Sequence, residues 1–141
     1  MMSEKKHIEN KIIEYLNKRE EILFAYIFGS FISKDHYHDI DIAVYLTENF
    51  DKNDTKKFPY GYESYMIPEL NLLTRKNIDF IVMNSADIVI QKRIITQGKL
   101  LFCKDERKRI YYENYIRKIY IDTEELRKIK RHYLSNKITN A

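Results

Sequence analysis

Apolar residues alternate along the chain between two periods, one helical and one extended. Ile8, Ile12, Ile13 and Leu16 recur at helical spacing behind Ser3, a fitting N-cap with Glu4 in the first turn, so a helix is expected over residues 4–19. Two runs rich in branched and aromatic residues follow at 22–28 and 40–46, and each reads as a strand. A short helical turn near 31–34 joins them. Residues 47–59 are polar and end in Phe58-Pro59, the signature of an exposed loop. Tyr65, Met66, Leu70, Leu72 and Leu73 form the apolar side of a helix over 62–76, which Pro68 is expected to kink or restart. A strand over 78–84, a helix over 86–96 stopped by Gly98, and a short strand over 100–103 come next. From 106 to about 136 one long helical pattern closes the chain. The elements predict an α/β (α+β) fold: a small mixed sheet of about four strands flanked by helices, with a long C-terminal helical segment.

Length sharpens this picture. The 141 residues suit one domain with a single core, spanning 1–141, its sheet-bearing part at 1–103 and its helical segment at 104–141. The one cysteine, Cys103, excludes an internal disulfide and is expected to be a buried small hydrophobe. No run of about 18 apolar residues and no signal-peptide pattern occurs, so a cytoplasmic protein with no membrane association is expected. His7, His36, His38 and His132 show no zinc-site spacing, and His36 and His38 are expected on a surface loop.

Charge is uneven. Residues 104–137 carry eleven Lys/Arg against six Asp/Glu, so the whole surplus of the +4 chain lies in the terminal segment. Tyr111, Tyr112, Tyr115, Tyr120 and Tyr133 interleave with these bases, a mixture that can stack on nucleobases and hold phosphates. Yet Tyr112, Ile116, Ile119, Leu126, Ile129 and Tyr133 also fall near helical spacing, giving an apolar stripe that should pack on the core or on a protein partner. The second reading is preferred, and nucleic acid is disfavoured as a partner.

The candidate chemistry lies between residues 29 and 41. The first strand ends in Gly29-Ser30, and the second opens on Asp39-Ile40-Asp41. Alternation along a strand points Asp39 and Asp41 to one side, about 6.6 Å apart at the standard rise. Two such carboxylates call for a cation, and a hard one such as Mg²⁺ commonly arrives with substrate phosphates. Gly29 lacks the Cβ that would block a phosphate, while Ser30 offers a hydroxyl and a backbone N–H. A third carboxylate, Asp79, stands inside the apolar run Ile78-Asp79-Phe80-Ile81-Val82, where it either faces water from an edge strand or joins the other two at the metal.

Gly-Ser, a short linker, Asp-x-Asp and a third Asp strand resemble the nucleotidyltransferase superfamily related to DNA polymerase beta. The whole chain is similar to minimal nucleotidyltransferase antitoxins of the MntA type. Gly29-Ser30-Phe31, Asp39-Ile40-Asp41, Lys76-Asn77-Ile78-Asp79, Asn84-Ser85-Ala86 and Gly98-Lys99-Leu100-Leu101-Phe102 match in order, ahead of a charged, Tyr-containing terminal helix. The resemblance implies a nucleotidyltransferase fold and Mg²⁺-dependent transfer of AMP from ATP onto a tyrosine of a HEPN-domain RNase toxin, in a toxin–antitoxin hetero-oligomer. Asp39, Asp41 and Asp79 would be the catalytic and metal-binding residues, holding two Mg²⁺ ions, with Gly29, Ser30 and Lys34 on the nucleotide. The linker between Ser30 and Asp39 is a little shorter than in that family, and Lys34 stands in for an arginine usual after the Gly-Ser. A small-molecule nucleotidyltransferase of the antibiotic-modifying kind and a non-catalytic antitoxin acting by occlusion are the alternatives.

Overall fold

The computed structural model describes residues 3–139. Helix α1 (Glu4–Asn17) starts where expected: the Ser3 hydroxyl accepts from the Lys6 N–H at 3.2 Å. Ile8, Ile12 and Leu16 are its buried stripe. Strand β1 (Ile22–Phe28) leads through the one-turn helix α2 (Ser30–Ser33) into β2 (Asp39–Leu46). Helix α3 (Tyr62–Thr74) follows a loop, then β3 (Asn77–Val82), a single 3₁₀ turn, α4 (Ile88–Gln97) and β4 (Lys99–Cys103). The chain closes with α5 (Glu106–Asp122) and α6 (Glu124–Thr139).

The four strands form one mixed sheet in the order β3-β2-β1-β4. β1 pairs antiparallel with β2 through a short connection and with the sequence-distant β4, whereas β2 and β3 are parallel because α3 carries the chain back. Both faces are covered, so β1 is buried nearly throughout instead of alternating. A bulge between Ile22 and Phe24 lets Ile22 join Ala25 and Ile27 on one face. That face packs with Ile40, Ile42, Val44, Ile78 and Phe80 beneath α1 and α3. The opposite face gathers Phe24, Tyr26 and Ala43 beneath Ile94 of α4 and Tyr112 and Ile116 of α5.

Side-chain ties set the strands in register. The Asn84 amide closes on the end of β2 from both sides, accepting from the Leu46 N–H at 2.8 Å and donating to the Leu46 carbonyl at 2.9 Å. Asn71 Oδ1 of α3 accepts from the Ile78 N–H at 2.8 Å. On the far edge, buried Glu9 of α1 receives Lys99 of β4 at 2.9 Å. Glu113 of α5 takes both the Tyr26 hydroxyl of β1 and Arg109, the latter at 3.0 Å.

Four expectations need correction. α3 runs through Pro68 as one helix, and its buried side is Tyr62, Met66 and Leu70; Leu72 is 83% exposed and Tyr65 lies largely outside the core. The terminal helical pattern is two helices, divided at Thr123, whose hydroxyl donates to the Ile119 carbonyl at 2.6 Å while Arg127 donates to the Tyr120 carbonyl. Of the apolar stripe, Tyr112 and Ile116 are buried, but Leu126, Ile129 and Tyr133 face outward. Cys103 is half-buried, and burial pushes its thiol pKa up. No helix among the described residues is long and apolar enough to cross a membrane.

Candidate active site

The β1–α2–β2 unit brings the Gly-Ser turn against the first carboxylates. Phe28 is the cross-strand partner of Asp41, so the turn that follows Phe28 lies over the start of β2. Gly29 has φ +80°, and a Cβ built there would stand 2.0 Å from Asp41 Oδ2. Position 29 is therefore confined to glycine twice, by its backbone and by the carboxylate beside it. Ser30 opens α2, whose turn is closed by the Lys34 N–H donating to the Ser30 carbonyl at 2.9 Å.

The parallel register supplies the third carboxylate. Asp41 lies directly across from Asp79, and Asp39 across from Asn77. A register slip of one residue would turn Asp79 to the other face, so the Asn84 and Asn71 ties also determine which side chains meet here. β3 is an edge strand and Asp79 is exposed, yet the register sets it directly opposite Asp41. Edge position and exposure match the reading in which Asp79 faces water, and its place opposite Asp41 leaves a shared metal site as a proposal.

Burial, then the hydrogen bond and charge of Asp79, then the charge of Asp39, push the Asp41 carboxyl pKa up to about 6. Two adjacent carboxylates without a cation resist joint ionisation, and a proton held between them relieves the repulsion. Among the described residues no group of three or more His, Cys, Asp or Glu side chains is gathered closely enough to hold a metal ion as it stands. The donors nevertheless suit a hard cation: all are carboxylate oxygens, Asp41 and Asp79 stand opposite each other in the register, and the site opens at a sheet edge where a ligand carrying its own oxygens can enter.

The remaining expected residues lie around this centre. Lys34 is exposed at the end of α2, and His36 and His38 are exposed in the linker. Tyr37, between them, packs edge to face on buried Phe31 at 4.7 Å. The sequence did not reveal Lys5, whose Nζ reaches from α1 to the Phe31 and Lys34 carbonyls. Contacts to backbone oxygen across so long a separation leave no mark in a residue pattern.

Residues 10–107 match the family described as Polymerase beta, Nucleotidyltransferase. No curated protein matches the chain in sequence. Among solved structures, a toxin-antitoxin complex with AMP-PNP contains a chain 24% identical at TM-score 0.71, covering 89% of this chain and 98% of that one. The tri-AMPylated HEPN toxin of Shewanella oneidensis in complex with its MNT antitoxin gives 23% identity and TM-score 0.71, covering 92% and 98%. A toxin-antitoxin MntA-HepT complex gives 23% identity and TM-score 0.68, covering 91% and 97%. These likenesses establish a common fold over nearly the whole of each chain.

Proposed function

The chain belongs to the polymerase beta nucleotidyltransferase family, and from that premise we propose that it is an antitoxin adenylyltransferase, moving AMP from ATP to a tyrosine of a HEPN-domain RNase toxin in the cytoplasm. The observation that carries this reading is the β2–β3 register, which sets Asp79 beside Asp41 while Gly29 lies against Asp41 from the other strand. Two structural neighbours are a toxin–antitoxin complex with AMP-PNP and an AMPylated HEPN toxin in complex with its antitoxin, which supports both substrates.

In this reading Asp39, Asp41 and Asp79 would hold Mg²⁺, which when bound would neutralise phosphate charge and lower the cost of ionising the acceptor hydroxyl. The turn at Gly29-Ser30 receives the β- and γ-phosphates through backbone N–H and hydroxyl donors, with Lys34 adding a mobile positive charge. The tyrosine oxygen attacks the α-phosphorus, the bond to the β-phosphate oxygen breaks, and pyrophosphate leaves. A tyrosine hydroxyl has an ordinary pKa of about 10, so its proton needs an acceptor. Asp79, exposed at the sheet edge, is the group an incoming protein side chain meets first.

The test is to incubate the protein with ATP, Mg²⁺ and a HEPN-domain toxin identified as its partner, and to weigh the toxin by intact-mass spectrometry. Wild type should add one or more AMP units as RNase activity falls, and Asp41→Asn should add none. Equal inhibition by wild type and Asp41→Asn, with no mass added by either, would instead establish occlusion.

A further inference from the structure

Helix α2 is one turn long, and so short a helix cannot satisfy its own terminal carbonyls. One ammonium does so from elsewhere. Lys5 Nζ, in the first turn of α1, donates to the Phe31 carbonyl at 2.7 Å and also to the Lys34 carbonyl. The same Nζ lies 5.4 Å from the ring centroids of both Phe31 and Tyr37. Lys76, next to β3, approaches the Tyr37 ring at 5.6 Å and pairs with Glu4 of α1 at 3.8 Å. The linker between the Gly-Ser turn and Asp39 is thus fastened to the start of α1 at its carbonyls and its aromatic rings. Its neighbours Lys6 and Lys11 on α1 are exposed, whereas Lys5 is half-buried in this nest.

We propose that Lys5 is a positioning residue for the nucleotide. By holding the Phe31 and Lys34 carbonyls it fixes the pitch of α2, and with it the direction in which the Ser30 hydroxyl and the N–H groups of the turn point. The inference rests on the nucleotidyltransferase reading of the site, in which that turn receives the triphosphate. A cation at the C-terminal end of α2 also opposes the partial negative charge there. Within the eight-residue linker the Tyr37 ring packs on Phe31, but the Phe31 and Lys34 carbonyls are held from outside it, by Lys5.

Three substitutions separate this role from mere stability. Lys5→Met keeps the aliphatic stem and removes the ammonium, Lys5→Gln keeps a shorter neutral donor, and Lys5→Arg keeps charge and donors. Affinity for Mg²⁺·ATP is measured by titration calorimetry beside thermal melting of each full-length variant. The dissociation constant should rise about tenfold for Lys5→Met, less for Lys5→Gln, and stay within about threefold for Lys5→Arg, since a misplaced binding group commonly costs that much or more. Unchanged affinity in the Met and Gln variants, with or without a lower melting temperature, overturns the proposal and leaves the nucleotidyltransferase reading standing. Absence of Mg²⁺·ATP binding by wild type removes both. Should Lys5→Met fail to fold, the Gln variant against wild type decides the question.

Discussion

Asp41 keeps its proton in the folded chain over a range where the unfolded chain has released it. Its carboxyl is pushed up to about 6 from an ordinary 3.8, by burial first and by Asp79 and Asp39 after that. The folded state therefore binds the extra proton, and the metal-free protein should be most stable below about pH 4 as far as this group is concerned, losing that contribution as pH rises through 6. Solvent screening at a partly open site keeps the effect modest. Melting wild type and Asp41→Asn in chelator from pH 4.5 to 7.5 should show the variant gaining on wild type toward neutrality; parallel curves would mean that neither burial nor the neighbouring carboxylates raise the Asp41 pKa. The residues of this site were legible for a local reason. Gly29, Ser30, Asp39 and Asp41 fall within one strand–turn–strand stretch, and Asp79 is a charge in an apolar run. That Asp79 lies opposite Asp41, and that Lys5 reaches the Phe31 and Lys34 carbonyls, depend on tertiary pairing that no nearby residue announces.

Among the elements, the β2–β3 pair depends most on a single side chain. Asn84 satisfies both the N–H and the carbonyl of Leu46, so Asn84→Ala leaves two partly buried backbone groups without their partner. A loss of about 1–3 kcal/mol is expected in denaturant melts, together with weaker Mg²⁺ binding as the Asp41–Asp79 pairing loosens. Destabilisation with metal affinity intact would confine Asn84 to a structural role. Helices were legible where a cap or breaker stood beside an apolar stripe, as at Ser3 and Gly98. The break at Thr123 carried a signal too: Asp122-Thr123-Glu124-Glu125 places an N-cap residue before an acidic first turn, and the continuous apolar spacing across it masked the division. Pro68 failed to interrupt α3 because a helix packed by Tyr62, Met66 and Leu70 can absorb one missing backbone donor.

Across the whole molecule, acidic chemistry and basic surface are kept apart. The carboxylates stand on the sheet, while the positive surplus lies on α5 and α6 among exposed Tyr111, Tyr115, Leu126, Ile129 and Tyr133. If that mixed face serves a protein partner, generic RNA or DNA should bind only with dissociation constants of about 10⁻⁴–10⁻⁶ M at physiological salt, the level of unspecific phosphate attraction. Tight, sequence-selective binding in a titration would reassign the face to nucleic acid. The parallel pairing of β2 with β3 has a consequence for how the molecule comes into being. The β1–β2 hairpin can close from nearby residues, but Asp79 reaches Asp41 only after the intervening loop and α3 have been laid down, and contacts so distant in sequence are slow to form. A chain still emerging from the ribosome can therefore own the glycine turn and two carboxylates for some time before it owns the third. In refolding experiments, hairpin signals should therefore precede ion binding.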